Sequence, residues 1–242
     1  MVHKTPLLLL PGTLCDERLW KHQLASLDDI ADMTVIDLTV ATSIKELAHS
    51  VLERAPDTFA IAGLSLGGIV AMEVVRQAPE RVSKIALLNS NPYAPRPEQL
   101  ETWDHLEHLV EQGRFMEVLK EKLLPNLIHP NRQQDERLVS TIVSMAEKIG
   151  PEAYIRQLKA VATRSDTRQN LEQLQCDTLL LTGMQDNVCP PAYHEEMEEL
   201  IPNSTLKVID QCGHLSSLEQ PEAVSGALRA WLLEKNEGRN DF

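Results

Sequence analysis

The chain lacks the features that mark several large classes of protein. Its 242 residues contain no run of about eighteen apolar residues, the length that a membrane-spanning helix needs. Lys and Arg number only 23 against 36 Asp and Glu, and the net charge of −13 argues against nucleic acid or a membrane surface as partner. Four leucines before Pro11 are too few for a signal-peptide core. The four cysteines have no C-x-x-C spacing, so we expect reduced thiols and a cytoplasmic protein.

What the chain does contain is an alternation of two patterns. Short apolar runs of strand length are followed by segments with helical periodicity, and 43% of the residues are hydrophobic. This alternation predicts an α/β fold with a mostly parallel sheet of about six strands, flanked by helices. The predicted strands are Pro6–Pro11, Met33–Leu38, Phe59–Ser65, Ser83–Ser90, Cys176–Gly183 and Thr205–Asp210.

The alternation stops in the middle of the chain. From residue 92 to residue 175 only helical patterns occur, with four candidate helices separated by Gly113, Pro125, Pro130 and Gly150. We therefore predict one core, formed by residues 1–91 and 176–242, with a four-helix cap inserted between them.

A serine lies between glycines where a predicted strand meets a predicted helix. The pattern Gly63-Leu64-Ser65-Leu66-Gly67 precedes a helix over Gly67–Ala78 that carries few charges. So sharp a turn strains the serine backbone and leaves room only for glycine beside it. The hydroxyl then stands at a helix N-terminus, which favours developing negative charge. A phosphate-binding turn is the other interpretation, but neither G-x-x-x-x-G-K-[ST] nor G-x-G-x-x-G is present.

Such a serine needs a base, and His214 is the best placed of the eight histidines. It follows the last predicted strand, and the carboxyl ends of parallel strands share one edge of the sheet, so His214 is expected beside Ser65. We interpret His105 and His108, three residues apart, as a solvated helix face rather than a metal site. We place His194, which begins the segment HEEMEE, in a charged surface turn.

The base needs an acid to orient it, and two aspartates compete for this role. Asp186 follows the strand that ends at Gly183, again at the carboxyl edge of the sheet. Asp210 ends the last strand, four residues before His214, and we interpret it as a loop residue that forms hydrogen bonds. The order Ser65, Asp186, His214 is therefore the predicted triad.

With these residues the chain resembles the α/β-hydrolases, and in particular small bacterial serine esterases with a helical cap. The segments that carry the resemblance are residues 7–20, 61–68, 179–190 and 212–224. The resemblance implies an oxyanion hole formed by the backbone N–H groups of Thr13 and Leu66. Where the family has a His-Gly pair before the first donor, this chain has Pro11-Gly12.

The resemblance implies hydrolysis of small carboxylic esters, or of thioesters or lactones, without cofactor or metal. We expect a monomer or homodimer that acts on a small-molecule ester. Four cap residues are candidates for an apolar substrate pocket, with packing of the cap on the core as the alternative: Trp103, Phe115, Met116 and Met145. An aminopeptidase, a carbon–carbon bond hydrolase and a ligand receptor without turnover are the other functions that this fold allows.

Overall fold

Six strands form a sheet in which every neighbouring pair is parallel. The computed structural model describes residues 4–234 and orders the strands β2-β1-β3-β4-β5-β6. The strands are β1 (Thr5–Leu10), β2 (Ala31–Val35), β3 (Phe59–Leu64), β4 (Val82–Leu88), β5 (Asp177–Gly183) and β6 (Ser204–Ile209). The predicted α/β fold with about six mostly parallel strands is confirmed.

The leucines of β1 show why these runs are apolar throughout. Successive side chains of a strand point to opposite faces, so a sheet covered on both faces needs apolar residues at every position. Leu8 and Leu10 pack into one hydrophobic cluster, and Leu7 and Leu9 pack into another on the opposite face. The edge strand β6, in contrast, has no fully buried residue.

Helices cover both faces of this sheet. Those of the core are α1 (Lys21–Ser26), α2 (Ile44–Arg54), α3 (Leu66–Gln77), α10 (Pro191–Leu200), α11 (Ser216–Glu219) and α12 (Pro221–Leu233). Helices α2, α3 and α10 contribute to one cluster, while α12 and the 3₁₀ turn before α1 contribute to the other. Within residues 4–234, no helix combines the length and the apolar character needed to cross a membrane.

Between β4 and β5 the chain is helical, as the sequence predicts. The helices are α4 (Pro97–Glu111), α5 (Phe115–Glu117), α6 (Leu124–Leu127), α7 (Glu136–Ile149), α8 (Pro151–Ala162) and α9 (Arg168–Leu171), with a π-helical stretch over Val118–Leu123. We call residues 92–175 the helical insertion; these bounds, and its role as a cap, stay predictions. An apolar cluster formed mostly by its residues includes Phe115 and Tyr154.

Candidate active site

Ser65 occupies a strained turn between β3 and α3. Its φ of 56° and ψ of −115° lie where non-glycine residues are rarely found, at a cost of about 1–3 kcal/mol. The glycines on either side are required by close packing. A Cβ on Gly63 would lie 2.2 Å from the carbonyl oxygen of Gly67, and one on Gly67 would lie 2.1 Å from that of Leu10. The serine side chain remains half-buried, whereas its neighbours are buried.

A continuous pair of hydrogen bonds joins this serine to the two other residues of the predicted triad. The His214 Nε2 atom lies 2.8 Å from the Ser65 Oγ atom, and His214 Nδ1 lies 2.8 Å from Asp186 Oδ2. Asp186 and His214 are only 3% and 2% exposed, so water does not separate them. Since a carboxylate accepts only, Nδ1 carries the proton and Nε2 is left to accept the serine hydroxyl.

Asp186 is held as an anion by more than the histidine. Burial acts to raise the pKa of this carboxyl, but His214 and several hydrogen-bond donors outweigh burial and lower the pKa. Oδ1 accepts the backbone N–H groups of Val188 and Cys189 at 2.8 and 2.9 Å. Oδ2 also accepts Nδ2 of Asn89 at 2.9 Å. The structure thus supplies the aspartate with donors on both oxygens.

The competing aspartate lies elsewhere. Asp210 is exposed in the turn after β6, and the structure places Asp186 against His214 instead. Asp186 lies at the carboxyl end of β5, three residues beyond Gly183, as its position in the sequence indicates.

Asn89 is a member of this site that the sequence reasoning missed. Its side chain is fully buried directly after β4, with a backbone φ of 46°. Besides Asp186, it reaches the Gly213 carbonyl at 3.2 Å and accepts the Ser216 hydroxyl at 2.5 Å. Its position at the same strand edge as Ser65 was the available signal, because a polar residue there faces the site.

The prediction that His194 lies in a surface turn is wrong. This residue is fully buried in α10, where its Nε2 atom accepts the N–H of Ser90 at 3.2 Å. Within residues 4–234 Nδ1 forms no hydrogen bond, although the nearby Pro190 backbone acts to raise the pKa of the imidazole. Burial lowers the pKa of His194 to about 4, against the opposing effect of Asp186. The four glutamates of HEEMEE make the segment look exposed in the sequence, although His194 and Met197 form a buried face of the helix.

His194 is connected to the nucleophile through one intermediate residue. Ser90, whose N–H it accepts, donates its own hydroxyl to the carbonyl oxygen of Ser65 at 3.0 Å. The buried imidazole therefore supports the turn that presents Ser65.

Two backbone N–H groups are available beside the serine. Leu66 is the first residue of α3, so its N–H has no acceptor within the helix. Thr13 lies in the loop after β1, half-exposed, and its N–H has no hydrogen-bond acceptor within residues 4–234. This loop lies against the turn that carries Ser65, because a Cβ built on Gly12 would be 3.5 Å from the Ser65 Cβ atom. The oxyanion hole formed by these two N–H groups stays a prediction.

The four candidate pocket residues do not form one surface. Trp103, Phe115 and Met116 belong to the apolar cluster of the helical insertion. Met145 is fully buried in a different cluster, against the sheet. The half-buried Trp103 and Met116 are therefore the better candidates for substrate contact, and the assignment of all four stays a prediction.

The helical insertion is hydrogen-bonded directly to the loop that carries His214. The carbonyl of Leu127 accepts the N–H groups of His214 and Leu215 at 3.2 and 3.1 Å. The buried carboxylate of Glu219 accepts the N–H of Gly213 at 3.0 Å on one oxygen and that of His129 at 2.7 Å on the other. The histidine loop is thus held from both sides.

A metal centre is not part of this arrangement of residues. Within residues 4–234, no three His, Cys, Asp or Glu side chains are grouped to hold a metal ion. His105 and His108 lie on α4, where His108 is paired with Asp104.

Comparison with known proteins identifies relatives of this chain. The sequence profile of the family described as alpha/beta hydrolase fold matches residues 43–221. The chain is 29% identical over 238 residues to a pimeloyl-[acyl-carrier protein] methyl ester esterase of Pectobacterium carotovorum, covering 91% of each chain. A thermophilic esterase from Thermogutta terrifontis, solved with malate bound, is 27% identical with a TM-score of 0.84, covering 94% of this chain and 89% of that one.

A more distant structure shares the fold. The enol-lactonase from Burkholderia xenovorans superposes with a TM-score of 0.85 at 19% identity, over 96% of this chain and 92% of that one. At this identity the likeness concerns the fold alone. Because the family profile covers most of the sequence, the chain belongs to the α/β-hydrolase fold family.

Proposed function

We propose that the protein is a serine hydrolase that cleaves small carboxylic esters through a covalent acyl-enzyme on Ser65. The observation that carries this proposal is the buried chain of hydrogen bonds from Ser65 through His214 to Asp186. The esterase names of the relatives from Pectobacterium and Thermogutta support the same reaction.

The first half-reaction forms the acyl-enzyme. His214 Nε2 takes the proton of the Ser65 hydroxyl while Oγ attacks the carbonyl carbon of the ester. The resulting oxyanion accepts the N–H groups of Thr13 and Leu66, and Asp186 stabilises the imidazolium. His214 then donates this proton to the ester oxygen of the leaving group as its bond to the carbonyl carbon breaks, and the alcohol departs.

The second half-reaction releases the acid. His214 takes a proton from a water molecule, and the hydroxide attacks the acyl carbonyl in the same oxyanion hole. Collapse of the tetrahedral intermediate expels Ser65 Oγ, which regains its proton from His214. The loss of one oxyanion donor typically costs about 10²–10³ in rate, so both N–H groups are essential parts of this scheme.

The names of the relatives favour particular kinds of ester substrate. The name of the Pectobacterium relative favours the methyl ester of a pimeloyl group carried on an acyl-carrier protein, and the esterase name of the Thermogutta structure favours a carboxylic ester in general. Thioesters, lactones and amides use the same triad, so p-nitrophenyl esters of increasing acyl length should be compared with these classes. We also propose, as the sequence leads us to expect, that the protein is cytoplasmic with reduced thiols and that it is a monomer or a homodimer.

The decisive experiment is covalent labelling by a fluorophosphonate. We expect wild-type protein to be labelled at Ser65 and to hydrolyse p-nitrophenyl acetate, and Ser65→Ala to lose both properties. Ser83→Ala is a matched control, because Ser83 is exposed near the amino end of β4, at the opposite edge of the sheet. Failure of the wild type to label or turn over would favour the receptor alternative.

A further inference from the structure

The loop that carries Thr13 contains a strained residue. Gly12 to Cys15 form a turn in which the Cys15 N–H donates to the Gly12 carbonyl at 3.1 Å. The third residue of the turn, Leu14, has a φ of 58°. Turns with a positive φ at this position ordinarily have glycine there, because a side chain is strained. Something outside the turn must therefore hold Leu14 in place.

Two contacts with the helical insertion supply that hold. The Leu14 side chain is 5% exposed and packs into the cluster that contains Phe115 and Tyr154. Its backbone N–H donates to Oε1 of Gln157, on α8, at 3.0 Å. Gln157 follows Leu14 by 143 positions in the sequence, so the contact is entirely tertiary.

The Gln157 amide is itself fixed at both ends. The side chain is 1% exposed, and Nε2 donates to the carbonyl of Leu38, in the loop after β2, at 3.3 Å. With the amide flipped, its NH₂ group would face the Leu14 N–H and its oxygen would face the Leu38 carbonyl. The two contacts therefore determine which atom of the amide is the oxygen. Gln157 thus joins the loops that follow β1 and β2 to the insertion.

We propose that Gln157 is a positioning residue for the oxyanion hole. By accepting the Leu14 N–H, it fixes the peptide between Thr13 and Leu14 in the orientation that a positive φ requires. Relaxation of Leu14 to a negative φ would rotate this peptide and change the Thr13 backbone to which it is bonded, which would displace the Thr13 N–H from the proposed oxyanion hole. The bond also removes the Leu14 N–H as a competing donor. This inference rests on the proposed function.

The test compares Gln157→Met, which keeps the volume but cannot accept the N–H, with wild type. We expect kcat for a p-nitrophenyl ester to fall at least about tenfold while KM changes less than about threefold. A trifluoromethyl ketone, which forms a tetrahedral oxyanion on Ser65, should lose affinity by the same factor as kcat/KM. Such a parallel loss identifies an effect on the oxyanion and not on substrate binding.

A second variant separates the two hydrogen bonds of the amide. Gln157→Glu keeps an acceptor for the Leu14 N–H but sets a carboxylate oxygen against the Leu38 carbonyl. We expect the order of kcat to be wild type, then Gln157→Glu, then Gln157→Met. The reverse order of the two variants would assign the effect to the Leu38 contact and overturn the proposal. The Glu variant also keeps the test open if the Met variant fails to fold.

Gln23→Leu provides the matched control. Gln23 is also fully buried and bridges two elements, donating from α1 to Ser225 on α12 at 3.2 Å. Its loss should change the melting temperature without changing kcat or the affinity for the ketone. If the wild type is active and Gln157→Met has the same kcat and the same affinity for the ketone, this inference is overturned and the proposed function is not. Absence of activity and of Ser65 labelling in the wild type would overturn the proposed function itself.

Discussion

His194 is buried in a setting that disfavours its charged form. Burial lowers its pKa to about 4, whereas the pKa of a histidine in an unfolded chain is about 6.5. Between these values the unfolded chain binds the proton and the folded chain does not. Stability from this residue is therefore complete above about pH 6.5 and is lost as the pH falls toward about 4. For a group this deeply buried, the loss amounts to about 2–3 kcal/mol by pH 4.5.

His194→Gln tests this pH dependence, because glutamine still offers an acceptor to the Ser90 N–H and does not titrate. We expect urea unfolding of the wild type to lose about 2–3 kcal/mol more than the variant between about pH 7 and 4.5. His49→Gln, at an exposed position on α2, should follow the wild type. Equal pH profiles for wild type and His194→Gln would show that the imidazole takes up its proton without unfolding.

The residues around the triad differ in how far the sequence reveals them. Ser65, Asp186 and His214 each lie within five residues of the carboxyl end of a strand, so strand order alone places them at one edge of the sheet. Gln157 and His194 lie within helices, and what decides their role is which face of the helix meets the core. That choice depends on contacts across the chain, such as the one from Gln157 to Leu14. A local pattern does not contain it.

The segment after α6 and the loop before α11 form one packed unit. A Cβ on Gly213 would lie 2.6 Å from the backbone nitrogen of His129, so the two segments touch with no space for a side chain. Glu219 bridges them with both carboxylate oxygens, and its burial raises the pKa of the carboxyl. Arg132 also donates to the Glu219 backbone carbonyl at 2.8 Å.

Glu219→Gln should weaken this unit. One carboxylate oxygen becomes an NH₂ group that faces an N–H donor, which leaves a buried donor unsatisfied at a cost of about 1–3 kcal/mol. We expect the free energy of unfolding to fall by that amount and kcat to fall with it, because the bond seats the residue before His214. Chemical denaturation and ester hydrolysis measure the two effects. Glu222→Gln, at an exposed neighbouring position, should change neither quantity. If Glu219→Gln has the stability and kcat of the wild type, the Glu219 bridge does not position the His214 loop.

The bounds of two elements illustrate what periodicity alone misjudges. The strand predicted over Met33–Leu38 is observed at Ala31–Val35, because pairing with β1 ends there although Ile36 and Leu38 remain buried. The helical segment after the His214 loop is divided at Gln220 into α11 and α12. Pro221 has no N–H to donate, so α12 begins anew at that residue.

The excess of acidic residues sets the field that an approaching substrate meets. With a net charge of −13, the protein repels anions over about 30 Å at 10 mM salt but only about 8 Å at physiological ionic strength. We expect kcat/KM for an ester with a free carboxylate in its acyl chain to rise severalfold between about 10 and 150 mM NaCl.

A neutral ester of the same length is the control for this salt effect, and its kcat/KM should stay constant. Stopped-flow or initial-rate measurements with the two p-nitrophenyl esters suffice. A fall in kcat/KM for the anionic ester with salt would mean that local cations at the site outweigh the overall charge.

Most of the bonds that seat the histidine loop on the helical insertion involve the main chain: the Leu127 carbonyl, the His129 N–H and the N–H groups of Gly213, His214 and Leu215. They join parts of the chain that are synthesised far apart, and the later part follows β6. The strands of the sheet pair without this junction, whereas the His214 loop is positioned by the insertion together with Asp186 and Glu219. We therefore expect loosening of the insertion to displace the imidazole while the strand pairs of the sheet stay in place.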